Sequence, residues 1–444
     1  MNDNKISKNS IVAKFAIPIS FLILFFLAAN FTDCDLVTFW KRRNHLTDLV
    51  VDMIPPDFSY IQKILLPLFY TIQMSVTGTV LGIFFALVLS PFGAANLGFP
   101  AVIRRILRIV IQILRSFPAL ILALTATFLF GLGTFAGTFA ITLYTFAIMT
   151  KLTYEDASAA DVKAYQALRA MGVSKYVAYI HGILPEIIPG FLTNALYLLE
   201  TNVRHSSILG YVGAGGIGLL LNEKISWLEY DKVGTILLML FLTVCVIEYF
   251  SRYLAALIRK ERTIKKEQAR LLLLFLAALF LICTFTLSLP DFSRTSPQTL
   301  RNMFAGFLQP DWSFFFSAEK DGLGYLLLET VCIAFIGTVI GAIVSAPLAF
   351  LNTKRFVPAP VSFLFNLVIM VIRSVPFLVY GLIFIRVSGP GAFTGVLTLA
   401  VCSIGLLTKR FTEALDALDP RPYHALLAMG SVLFPPSATV SCRS

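Results

Sequence analysis

The second half of the chain repeats the first, and this limits the fold more than any other feature. Residues 133–172 and 391–430 align without a gap at an offset of 258 and share 14 identities in 40 positions. The densest match sets Tyr165, Ala167, Leu168, Ala170, Met171 and Gly172 against Tyr423, Ala425, Leu426, Ala428, Met429 and Gly430. Gly78 and Gly82 recur as Gly337 and Gly341, and Arg115-Ser116-Phe117-Pro118 recurs as Arg373-Ser374-Val375-Pro376. A tandem duplication predicts two like bodies, the build of many membrane transporters. The expected division is 1–262 for the first unit, 263–430 for the second and 431–444 for a non-homologous tail. The second copy loses all similarity after Gly430. It is expected to be incomplete, through a frameshifted or prematurely ended gene, or as a natural short form paired with another chain.

Composition places these bodies in a membrane. Hydrophobic residues make up 57% of the chain and charged ones 14%, with mean hydropathy +0.81. A soluble domain could not hide that much apolar surface, so the expectation is an all-α, polytopic bundle. Apolar runs predict spans at 12–29, 64–91, 107–131, 134–152, 187–209 and 233–257 in the first copy, and at 270–289, 324–351, 361–386 and 391–408 in the second. That is about ten helices, six and then four, each near the ~20 residues a crossing needs. The first run follows Lys5 and Lys8 without a small-residue cleavage site, and reads as an uncleaved helix with its N-terminus in the cytoplasm.

Loop charge sets the orientation. Segment 252–270 carries seven Lys/Arg against two Glu, and 92–108 carries Arg104, Arg105 and Arg108 with no acid; both read as cytoplasmic. Segments 31–60 and 290–323 carry more acids than bases and read as external. The net charge of +11 therefore reflects the positive-inside rule rather than a nucleic-acid partner. Six scattered Cys form no CxxC or Cys/His cluster, and the four His lie far apart, so neither a metal centre nor a membrane enzyme is supported. Gly213–Gly218 formally matches GxGxxG, but no strand precedes it, and no GxxxxGK[ST] occurs.

The loop 150–190 lies on the expected cytoplasmic side. It is polar and Ala-rich, and free of proline up to Pro185. That suits a short helix, a glycine turn and a second helix. Gly172, Leu184 and Pro185, with Ala167 and Ala170 before them, resemble the coupling loop of ABC importer permeases: Glu-Ala-Ala, three residues, Gly, nine residues, Ile-x-Leu-Pro. Two positions depart: Gln166-Ala167-Leu168 replaces the acidic triplet, and Gly182 stands at the Ile position. The resemblance implies a type I permease-like bundle whose loop docks on an ATPase subunit, with Glu155 and the repeated Gly430 grouped among the coupling residues. No cofactor is expected in this chain, ATP and Mg being held by a partner ATPase dimer.

The run Glu200-Thr201-Asn202-Val203-Arg204-His205-Ser206-Ser207, leading into Ile208-Leu209-Gly210 and Gly213-Ala214-Gly215-Gly216-Ile217-Gly218, resembles the phosphonate transport permease. The resemblance implies import of phosphonate-type anions fed by an extracytoplasmic binding protein. Phosphite, methionine or quaternary amines are alternative cargoes, and an inverted-repeat secondary transporter is a further rival that the parallel copies oppose. Glu200 and Arg204, four apart, can pair on one face. Arg204, Asn202, Ser206 and Ser207 either line a path for an anion or lock helices together. Arg115 and Arg373 either meet the anion or rest in the lipid phosphates.

Overall fold

The computed structural model describes residues 18–33, 40–259, 266–290, 311–317, 322–354 and 356–419, with isolated positions between 298 and 320 and at 421. The described residues are helical and contain no strand. In chain order the helices are α1 Pro18–Phe31, α2 Arg43–Asp52, α3 Ile61–Gly93, α4 Ala101–Ser116, α5 Ala119–Phe130, α6 Thr134–Ala159, α7 Lys163–Ala170, α8 Lys175–Gly182, α9 Leu184–Leu209, α10 Ile217–Ser226, α11 Tyr230–Ile258 and α12 Lys266–Phe285. Then come α13 Trp312–Phe316, α14 Leu323–Asn352, α15 Ala359–Ser374, α16 Phe377–Ser388 and α17 Ala392–Ala417. Six are long and apolar enough to cross a membrane, or nine if each of three bent pairs is one span. The first expected span, 12–29, begins outside the described residues, and α1 is its described part.

The chain packs as two units, residues 52–309 and residues 1–51 with 310–444. The expected boundary at 262 falls inside the first-named unit. The helix that precedes each repeat packs with the other repeat. In the first-named unit, α12 lies on α3, where Gln73 Nε2 donates to the Cys283 carbonyl (3.1 Å) and to Thr286 Oγ1 (2.8 Å). In the other, α1 lies on α14 through Phe21–Phe335 and Phe31–Tyr325 ring contacts, with Ala28 buried among Ile336, Phe393 and Val396.

The repeated glycines explain each unit's centre. A Cβ on Gly78 would fall 2.8 Å from Ile141 Cβ and 2.9 Å from the Thr138 carbonyl; one on Gly82 would fall 2.7 Å from Thr145 Cβ. So α3 and α6 touch backbone to backbone, running in the same sense, as small-xxx-small faces allow. In the second unit Gly337 meets Leu399 and Val396, and Gly341 meets Ser403 and Ala400, each partner 258 residues further on.

The runs 107–131 and 361–386 do not form single straight spans. Helix α4 ends at Ser116 and meets α5 at 94°; α15 ends at Ser374 and meets α16 at 87°. Proline forces both breaks, since it lacks an N–H and bars helical geometry in the residue before it. Phe117 and Val375 are accordingly extended, at φ/ψ −84/125 and −74/125. A serine donates at both bends, Ser116 Oγ to Ile113 O (2.7 Å) and Ser374 Oγ to Val371 O (2.8 Å), while Ile372 O, which Pro376 leaves without its helical N–H, accepts from Tyr380 OH (3.0 Å).

Candidate functional site: the coupling hairpin and the polar seam of the bundle

Helix α7, a turn and α8 form the expected hairpin. Val173 N–H bonds to Leu168 O (3.2 Å) and Gly172 N–H to Arg169 O (3.1 Å), a Schellman closure. It needs a left-handed residue, and Gly172 supplies φ +83. Ser174 caps α8 by accepting from Val177 N–H. Ala167, Ala170 and Gly172 are exposed, and Met171 at the tip is 78% exposed.

The hairpin is anchored at its root. Buried Tyr165, Ala178, Tyr179, Ile183 and Ile187 pack with Ala94, Leu97, Tyr154 and Ala157. Tyr165 OH donates to Leu97 O (2.6 Å), and the Lys175 ammonium to Gly98 O. Gly182, the departure from the family pattern, sits where a Cβ would lie 2.8 Å from Tyr165 N and 2.9 Å from Tyr165 Cα. The missing side chain lets the two helices meet at their backbones. Leu184 and Pro185 open α9 at once, Pro185 in its first turn, so hairpin and α9 are joined at a 69° bend.

Glu155 is not in the hairpin. It stands on the last turns of α6, 3.5 Å from Lys151, and the repeat preserves this pair as Lys409–Glu413 (4.0 Å). Gly430 lies outside the described residues. Asp161, just before α7, has its carboxyl held below the usual range by the Lys163 backbone N–H.

Within the bundle, Asn202 is fully buried, its Nδ2 donating to Thr79 Oγ1 (2.8 Å) and Thr145 Oγ1 (2.7 Å). One amide thus ties α9 to α3 and α6. Ser206 Oγ meets Ser75 Oγ (2.9 Å) and donates to Thr71 O (3.1 Å), while Ser207 Oγ donates to Arg204 O (2.6 Å). Glu200 pairs with Arg204 as expected, but sequence reading missed Glu248. Arg204 also lies 3.9 Å from Glu248, which pairs with Arg252, making a four-residue ladder from α9 to α11. One helix, α10, lies between Arg204 and Glu248 in the chain, and the only signal Glu248 gave was a lone acid inside an apolar run. Asn202 Oδ1, Arg204 Nε, His205 Nδ1 and Tyr211 OH are buried without a hydrogen-bond partner among the described residues.

Helix α9 ends at Leu209, and Gly213, Gly215 and Gly216 turn the chain at φ +83, +78 and +75. Gly133 N–H bonds to Gly213 O (3.0 Å), and Thr71 Oγ1 accepts from Ile217 N–H (2.8 Å), the first residue of α10. Thr71 is ten residues into α3, or about 15 Å along it. The glycine loop is therefore held against α3 partway along its length rather than at its end. Arg115 is exposed at the first bend and forms no ion pair among the described residues; Arg373, half-buried at the second, packs beside Gly405.

Residues 78–262 match the model of the binding-protein-dependent transport system inner membrane component. The phosphite transport system permease protein PtxC of Stutzerimonas stutzeri is 31% identical over 217 residues, 49% of this chain and 79% of that one. The chain belongs to the phosphonate transport permease family. Phosphate-import permease protein PhnE of Mycolicibacterium smegmatis is 25% identical over 395 residues, covering 87% of this chain and 73% of that one. A candidate cryptic phosphonate permease of Escherichia coli, PhnE2, is 30% identical over 115 residues, 26% of this chain and 94% of that one. This phosphonate transport permease is thus a multi-pass membrane subunit of an ABC importer.

Proposed function

We propose that this permease carries small phosphorus oxyanions of the phosphonate type inward, driven by an ATPase dimer that holds ATP and Mg and docks on α7–α8, and fed by an extracytoplasmic binding protein. The observation that carries the coupling role is the continuity of hairpin and α9. Met171, Val177 and Ile180 offer an exposed apolar face to a partner. The root is packed through Tyr165, Tyr179 and Ile183, so a push on the tip reaches α9 with little slack. Asn202 and Arg204 then pass the tilt to α3, α6 and α11.

The cargo reading rests on the relatives' phosphate and phosphite transport, and on the cationic and N–H-rich groups within the bundle. Arg204 Nε is a buried donor among the described residues, and the N-terminus of α10 is the positive end of a helix dipole, both suited to an anion. Arg115 and Arg373 stand at equivalent bends and are the further cationic contacts. The N-terminus is cytoplasmic, since that places α7–α8 on the ATPase side. The test is uptake of labelled methylphosphonate, phosphite and phosphate by transport-deficient cells carrying the chain, its ATPase and its binding protein. Uptake of one of these, abolished by Gly172→Pro, is expected. Uptake of methionine or a quaternary amine instead would overturn the cargo; uptake indifferent to Gly172→Pro would overturn the coupling.

A further inference from the structure

The second unit contains a cavity of about 310 Å³ lined by Thr32, Asp33, Glu329 and the turn Ser388–Thr394. Its place in the repeat shows what it fits. In the first unit the matching turn, Gly131-Leu132-Gly133-Thr134, seats the glycine loop. Gly213 lies against Leu132, Gly133 N–H bonds to Gly213 O, and Gly215 lies beside Thr134. Pro390, Gly391 and Ala392 stand at the positions of Leu132, Gly133 and Thr134, and all three line the cavity. The backbones agree: Gly131 has φ/ψ 82/172 against 84/170 for Gly389, and Gly133 has 142/176 against 146/−178 for Gly391.

A second observation lies deeper in the same unit. Thr79 and Thr145, which receive the Asn202 amide, have the counterparts Thr338 and Ser403. Thr79 and Thr145 are buried, whereas Thr338 is exposed and Ser403 half-exposed. Turn and hydroxyl pair are therefore both retained where the first unit docks α9 and its glycine loop. The 444 residues contain one Gly-Ala-Gly-Gly run, and it is seated in the first unit.

We propose that this cavity is the seat for a glycine-rich loop of the Gly213–Gly216 type, presented by a further permease segment with helices like α9 and α11. The lining chemistry favours this occupant over the cargo. Asp33 and Glu329 carry negative charge, which repels an oxyanion but accepts from the N–H groups of a glycine loop and the helix N-terminus that follows it. The inference concerns packing and does not depend on which anion is carried.

The test appends residues 173–262 of this chain after Gly430. Glu329→Cys, in a background freed of other cysteines, is then labelled by a membrane-permeant thiol reagent. The seated loop is expected to slow labelling by at least ~10-fold relative to the unextended chain. Gly215→Val with Gly216→Val in the appended segment, at positions where positive φ excludes a branched side chain, is expected to restore it. Equal labelling in all three would overturn the proposal. Protection that survives the valine pair would also overturn it, since the helices alone would then cover the site. Should the extended chain fail to insert, a photoreactive residue replacing Pro390 in the natural chain gives the same answer. Attachment to a peptide carrying a permease glycine run supports the seat, and adducts only to lipid overturn it.

Discussion

Gly182→Ala adds a single methyl group at the tightest point of the hairpin, and its effect can be worked from geometry. The new Cβ would sit 2.8 Å from Tyr165 N, 2.9 Å from Tyr165 Cα and 3.2 Å from the Ala164 carbonyl carbon. These are backbone atoms of α7, so no side chain can rotate away, and the helices must part by roughly half an ångström or more to reach ordinary contact. Overpacking of this kind costs about 1–3 kcal/mol, which is about 5–150-fold in the ratio of packed to parted hairpin. The burden falls on the Tyr165–Leu97 hydrogen bond, which holds α7 to the loop beneath it. Hydrogen exchange of residues 163–170 in detergent or nanodisc should speed up by that factor, while exchange in α3 and α11 stays unchanged. Gly182→Ile, which restores the family's residue, should be worse than Gly182→Ala. Unchanged exchange in Gly182→Ala, or protection regained in Gly182→Ile, would refute the close-approach argument.

The other predictions concern separate parts of the molecule. Gly172→Ala meets no atom within 4 Å, so its cost is backbone strain alone, about 1 kcal/mol, and Gly172→Asn should recover part of it in a thermal melt. Glu248→Ala removes the buried acid between two arginines and should lower stability by about 3 kcal/mol, whereas Arg252→Ala, at the exposed end, should cost far less. Ser116→Ala and Ser374→Ala each leave a carbonyl at the bend without its hydroxyl donor and should cost about 1 kcal/mol apiece, read as a shift in melting temperature. Glu229 is held below its ordinary value of 4.5 by hydrogen bonds from Lys232 and then Lys224. Its contribution is therefore fully present above about 4.5 and is lost as pH falls through the lower folded value. Protease resistance of the loop around Trp227 should accordingly hold from neutral pH down to that point and weaken below it.

Much of this architecture was legible in the residues because it is written in steric terms. Gly78, Gly82, Gly337 and Gly341 announce close helix approach, and Gly172 announces a left-handed turn; both depend on the absence of a Cβ and survive any context. The prolines announced a break but not its angle, because a 94° turn and a mild kink begin with the same extended residue before Pro118. The packing partner of α1 was not legible at all. An apolar helix carries no local mark of which bundle it will join, and α1 follows Phe335 and Tyr325, some 300 residues away in sequence.

The polar residues separate along the same line. Asn202, Ser206 and Ser207 were legible as special because polar groups within a span need a reason to be there. Their reason is visible only in three dimensions, since Thr79 and Thr145 reach Asn202 from two other helices. Arg204 belongs to both roles at once. Glu200 and Glu248 flank its charge, which fixes the helix pair, while its Nε is buried and has no hydrogen-bond partner among the described residues. A residue clamped by two carboxylates and still holding a spare donor is suited to sense tilt between α9 and α11, because any relative movement of the helices changes which acid it faces. That makes Arg204→Lys informative: lysine keeps the charge but has no planar fork to span two acids. Uptake should fall while the protein still folds, and the loss should be matched by Glu248→Gln. If Arg204→Lys transports normally, the ladder is only a structural tie and the tilt is passed through Asn202 alone.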